Sequence, residues 1–153
     1  MAEIKSLKFG IPKRKKFSID GDESRFIELD TGDTGIVTRW AEIEPWFADV
    51  SKRLEAFNTD ELDPTKDVDK SKEIIAEMAT LDKEMREKMC YLFDSDVCTP
   101  IVGERGSLLR PVNGDPIFYT ILETLIPLYE ADIKIEAAKS QKRVAKHTAK
   151  YAK

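Results

Sequence analysis

The sequence predicts an α+β fold, mostly α. A small N-terminal β-hairpin, or three strands if Glu3 to Phe9 joins it, leads into about three amphipathic helices kinked at proline. Three observations predict this. Asp20-Gly21 stands between two short runs of alternating apolar residues. Three later segments repeat apolar residues every three or four positions, the spacing of a helix face. Two Asp-Pro steps, at Asp63-Pro64 and Asp115-Pro116, mark where the second and third of those segments begin.

The elements are justified in chain order. Ile4, Leu7 and Phe9 alternate weakly, and Gly10 and Pro12 break the run. Lys16 to Ile19 and Arg25 to Leu29 flank the Asp-Gly pair, where glycine supplies the positive φ of a primed turn. Phe17 and Ile19 share a face that either Phe26 or Ile27 with Leu29 continues. Asp33 is the expected N-cap of the first helix. Its seam is Ile36, Trp40, Ile43, Phe47, Val50, Leu54 and Phe57, and Pro45 should kink it by removing one hydrogen bond.

The second helix starts at Asp63-Pro64 and carries Ile74, Ile75, Met78, Leu81, Met85, Met89, Leu92 and Phe93. Asp94 to Pro100 ends it. Ile101 to Leu109 reads as a loop with one helical turn, and Asn113-Gly114 turns the chain. The third helix runs through Phe118, Ile121, Leu122, Leu125, Leu128 and Tyr129, with a kink at Pro127. Beyond Lys134 the stripe thins to alanine, and the chain should fray past Ala145. The expected core is Trp40, Trp46 or Phe47, Leu54, Ile75, Leu81, Met89, Leu92, Ile121 and Leu125. Residues 1–32 form a β segment packed on a helical body, 33–138, as one domain; residues 139–153 are a basic, flexible tail.

The chain has 153 residues, 35% of them charged, and a net charge of −4. One domain of this length buries enough surface for a core without disulfides or metal. The charge is partitioned. Residues 1–16 carry six basic and one acidic residue, net +5; residues 134–153 carry seven and one, net +6; the body between them is −15. An acidic body repels nucleic acid, so basic contacts belong to the ends. No apolar run is long enough for a membrane span, and the N-terminus has no apolar segment of the signal-peptide kind. Cys90 and Cys98 are neither a disulfide framework nor a metal-ligand spacing, which argues against a zinc site and suits a reducing cytoplasm.

Few motifs suggest chemistry. His147 is the single histidine and stands in the basic tail without a partner in sequence. The acidic clusters Asp20-Gly21-Asp22-Glu23 and Asp63, Asp67, Asp69 lack the sixth-position glycine and twelfth-position glutamate of a calcium loop. Gly103-Glu104-Arg105-Gly106 imitates a nucleic-acid-clamping GXXG loop, but Pro111 stops any subsequent helix within a turn. A tight turn explains the glycines better. No catalytic set, cofactor or metal site is expected, and the chain reads as no enzyme.

The order of elements resembles the small tail-assembly chaperones of long-tailed, non-contractile phages and prophages. The residues that carry the resemblance are Ile19 to Asp30, the Val-Gly-Glu-Arg-Gly-Ser loop at 102–107, the Asn-Gly-Asp-Pro turn at 113–116, the apolar third helix and the Lys/Arg-rich tail. It covers most of residues 15–140, while the long basic start, Lys5 to Lys16, departs from the family pattern. The resemblance implies a non-enzymatic protein of the host bacterial cytoplasm, absent from the mature virion. It would bind the helical tape-measure protein and recruit tail-tube subunits. The candidate partner-binding residues are Met78, Met85, Met89, Arg105, Lys139, Lys142, Arg143 and Lys146, and self-association is open to the apolar seams. The alternatives are a nucleic-acid-binding module using Gly103–Gly106 and the basic ends, or a structural virion or connector protein.

Overall fold

The computed structural model describes residues 3–55 and 68–151, with side chains through Val144. It is α+β and mostly helical, with an antiparallel hairpin ahead of the helices. Strands β1 (Lys15–Ile19) and β2 (Asp22–Leu29) pair Lys15 with Leu29 and Phe17 with Ile27, with a register shift after Ser18. Asp20 and Gly21 both have positive φ, 50° and 76°, the geometry of a type I′ turn. Ile27 and Leu29 are buried, so they continue the inner face. Phe26 points out, under the Lys16 ammonium at 4.9 Å from its ring centre.

Helix α1 (Gly35–Glu55) starts at Asp33, whose Oδ1 accepts the Gly35 N–H at 2.8 Å. It runs through Pro45 unbroken. The carbonyl one turn back, on Ala41, belongs to an exposed residue, so water can take the place of the lost donor. Helix α2 (Val68–Phe93) ends in a Schellman motif: Ser95 N–H reaches the Cys90 carbonyl at 3.2 Å and Asp94 N–H the Tyr91 carbonyl at 3.3 Å. Asp94 takes the left-handed conformation, φ 48°, that glycine usually fills. The expected cap at Asp63-Pro64 and the seam residue Phe57 lie outside the described residues.

The short helix α3 (Thr99–Val102) precedes Gly103. The Gly103–Gly106 loop then leads to a two-residue strand pair, β3 (Pro111–Val112) and β4 (Asp115–Pro116). Asp115-Pro116 is therefore a strand, where the sequence suggested a helix cap. Asn113 and Gly114, φ 54° and 90°, form its turn. Helix α4 (Ile117–Tyr151) begins at once, and its first N–H groups are taken by loop carbonyls: Ile117 by Arg110 at 2.8 Å, Phe118 by Leu108 at 3.2 Å. The helix passes through Pro127 and continues to Tyr151.

Contacts at both ends of α1 fix the layout. Arg39 donates to the Leu92 carbonyl at 2.8 Å and Arg53 pairs with Glu84, so α1 is antiparallel to α2. Phe47 meets Phe118 at 6.4 Å, and Ile36 and Tyr129 line one cleft, so α1 is antiparallel to α4 as well. The buried cluster joins Ile27 and Leu29 of the hairpin to Ile43, Val50, Leu81, Met85, Met89, Leu92, Phe118, Ile121 and Leu125. Trp40, Trp46, Phe47 and Leu54 pack against it half-buried. Ile75 is a correction: it is 65% exposed, because α2 buries nothing before Leu81. An apolar stripe tells which face of a helix is covered, but not how far along the helix the cover extends. Among the described residues no helix is long and apolar enough to cross a membrane.

Candidate interaction site

The residues ahead of β1 form no strand, another departure from expectation. Gly10 adopts φ 69° and Pro12 lacks an N–H, so the run cannot continue as a regular strand into β1. The result is an arm, residues 3–13, held at its base. Arg14 donates to the Asp94 carbonyl at 2.7 Å and pairs with its carboxylate at 3.0 Å. Lys15 pairs with Asp132 of α4 at 2.7 Å, and the buried Thr31 hydroxyl donates to the same carboxylate. The hydrogen bond from Lys15, then that from Thr31, holds the Asp132 carboxyl below its usual range.

Beyond that anchor the arm is apolar and uncovered. Ile4, Leu7, Phe9 and Ile11 are 96%, 76%, 79% and 75% exposed. Lys5, Lys8 and Lys13 are interleaved with them. Their alternation suggests a sheet strand. The signal that separates an arm from a strand lies in Gly10 and Pro12.

Two recesses open on this part of the molecule, and the first of them touches the arm. A cavity of about 570 Å³ lies at its base against α4, walled by Ile11, Pro12, Lys15, Asp132, Ile135 and Glu136. An apolar groove of about 450 Å³ separates the hairpin from α4, walled by Phe17, Ile19, Ile27, Ile117, Ile121 and Leu128. The groove stays open because Phe17 and Ile19 are only half-buried against the core.

The residues picked from sequence are scattered. Met85 and Met89 are fully buried, so they serve the core and offer no surface to a partner. Their i, i+4 spacing with Leu81 already matches a core stripe. Met78 is 37% exposed on the first half of α2. Arg105 is exposed at the tip of the glycine loop. Lys139, Lys142 and Arg143 are exposed on α4, with Lys139 3.3 Å from Glu136. The side chains of Lys146 and His147 lie outside the described residues.

The glycine loop is tied inward. Arg86 of α2 donates to the Gly103 and Gly106 carbonyls at 3.1 and 2.7 Å, and Asp82 accepts the Leu108 N–H at 2.7 Å. Gly106 lies so close to the Val102 carbonyl that a Cβ there would be 1.8 Å from its oxygen. Gly106 is thus needed for packing, and the β3–β4 turn stands where a phosphate clamp would need a helix.

Other titratable groups are shifted by their local contacts. Asp33 is held below its usual range by the Gly35 N–H and then by Arg39. Burial pushes the Tyr129 phenol up to about 12. At the end of α2, hydrogen bonding to Cys98 holds the Cys90 thiol low, and the same contact with burial pushes Cys98 up. The arrangement of arm, cavity and groove is suited to non-covalent capture of an apolar segment. Compared with known proteins, the chain matches no family model, no curated protein and no solved structure.

Proposed function

We propose that this protein is a non-enzymatic assembly chaperone of the phage or prophage tail type, which holds tape-measure and tail-tube proteins until the tube polymerises. The observation that carries the reading is the arm with its four uncovered apolar side chains. Covering a large apolar side chain is worth about 1.5–3 kcal/mol, so four offer roughly 6–12 kcal/mol. Ordering the arm's backbone costs about 1–2 kcal/mol per residue over some ten residues. That cost is as large as the gain or larger, so the arm alone holds a partner weakly and reversibly, and a firmer grip needs further contacts with the rest of the surface. The interleaved lysines add long-range attraction to an acidic partner surface.

The partner class comes from the order of elements in the sequence, and the arm supplies a means of binding. Co-expression with a phage tape-measure protein and a tail-tube protein tests it. Retention of either on the tagged chain is expected; retention of neither rejects the proposal. The nucleic-acid alternative rests on the exposed basic residues of the arm and of α4. It predicts binding to RNA or DNA that falls steeply with salt.

A further inference from the structure

We propose that Cys90, Asp96 and Cys98 form a binding site for a thiophilic divalent cation of the zinc type. This goes beyond the chaperone reading and does not depend on it.

The spacing, Cys-x5-Asp-x-Cys, matches no familiar metal motif, and the fold supplies what the spacing lacks. Cys90 sits in the last turn of α2. The left-handed Asp94 reverses the chain, and Cys98 returns directly before α3. Between them Asp96 is fixed, because its Oδ1 accepts the N–H groups of Cys98 and Thr99 at 3.1 and 3.0 Å. One ligand atom from each of the three residues lies within 4.8 Å of the other two, and Cys90 Sγ is 3.7 Å from Asp96 Oδ1.

Those separations suit a tetrahedral ion. Bonds of about 2.3 Å to sulfur and 2.0–2.2 Å to oxygen put neighbouring ligand atoms roughly 3.3–3.8 Å apart. A contraction of about an ångström or less closes the site, within reach of side-chain rotation. Burial is graded in a useful way: Cys98 is fully buried, Cys90 half-buried and Asp96 exposed. The ion would enter from the Asp96 side and keep that side for water as fourth ligand.

Charge supports the same assignment. Among the described residues no Lys or Arg forms an ion pair with Asp96. Two sulfurs and one carboxylate select zinc, cadmium or cobalt over magnesium or calcium, which prefer oxygen. Binding displaces the two thiol protons to solvent and changes no oxidation state.

The test uses the reduced full-length chain titrated with cobalt(II) as a spectroscopic stand-in for zinc. Expected are one bound equivalent, a thiolate-to-cobalt charge-transfer band with tetrahedral visible absorption, and loss of both when zinc is added. Cys90→Ser, at a half-exposed position and checked for folding by circular dichroism, should weaken cobalt binding at least tenfold and reduce the charge-transfer band, since one of the two thiolates is lost. Asp96→Asn keeps an oxygen for the two backbone N–H groups but removes the anion, and should weaken binding at least tenfold. No charge-transfer band with excess cobalt, or affinity and band both unchanged in Cys90→Ser, overturns the site. Unchanged affinity in Asp96→Asn overturns Asp96 as ligand and with it the three-residue site. A reduced chain that takes no cobalt but forms a Cys90–Cys98 disulfide with oxidised glutathione assigns the cysteines to redox chemistry, and the metal proposal falls.

Discussion

The arm and the hairpin are built from the same material and meet opposite fates. Each carries large apolar residues, spaced mostly at every second position and interrupted by a glycine. In the hairpin Ile27 and Leu29 are buried and Phe17 and Ile19 half-buried. In the arm Ile4, Leu7, Phe9 and Ile11 face solvent. Gly21 closes a two-residue turn that brings β2 back onto β1, so both strands find partners. Gly10 turns the chain without returning it to a strand. Local alternation sets which side chains share a face, and only a turn of the right type gives that face something to cover.

The largest test of this contrast is an aspartate placed in each region. Ile121→Asp buries an unpaired charge in the core cluster and should cost about 3–5 kcal/mol by chemical denaturation. Leu7→Asp should stay within about 0.5 kcal/mol, since that side chain is exposed. Equal losses would show that the arm belongs to the fold.

Gly106→Ala comes next. The added Cβ would meet the Val102 carbonyl at 1.8 Å, and the loop must shift, at a cost of about 1–3 kcal/mol. A neutral change would show that the loop is slack and that Arg86 does not hold it.

Alkaline pH sharpens the comparison further. Tyr129 is neutral in the core and its phenol is pushed up to about 12, above an ordinary value of about 10. A raised phenol favours unfolding once the unfolded chain can ionise. Stability is therefore intact below about pH 10 and is lost as pH rises towards 12. Tyr129→Phe should flatten that part of the stability curve. An unchanged curve would mean that other groups dominate alkaline unfolding.

The smallest expected effect concerns the anchor. The Asp132 carboxyl is held low by Lys15 and Thr31, so their contribution is complete above its ordinary value of about 3.9 and is lost as pH falls further. Protection from hydrogen exchange at residues 14–16, taken relative to the intrinsic rate at each pH, should fall in acid before that of the helices does. Simultaneous loss would show that base and core open together.

The fold is largely legible in the sequence because its strongest signals are local. Asp20-Gly21 sets the hairpin, and the run from Ile36 to Leu54 sets α1. Leu81, Met89, Leu92, Ile121 and Leu125 are identifiable as core from spacing alone. Ile75 is misplaced by the same reasoning because periodicity is silent about where a neighbouring helix stops. Met85 and Met89 allow two readings in sequence, core stripe or adaptable surface, of which core is the commoner, and complete burial makes them packing. Asp115-Pro116 reads as a helix cap in sequence, and what makes it a strand is its pairing with Pro111-Val112 across the turn. The convergence of Cys90, Asp96 and Cys98 is out of reach of the sequence, since it depends on a left-handed aspartate at a helix end, where glycine is the usual signal.

If the arm binds a partner and does not hold the fold together, the two roles separate in one double variant, Leu7→Asp/Phe9→Asp. Its unfolding midpoint and its capture of co-expressed protein are measured side by side. An unfolding midpoint equal to that of the parent chain is expected, together with loss of the tape-measure or tail-tube protein. A variant that retains the partner in full, or that loses it only because the fold has been weakened, would contradict the role given to the arm.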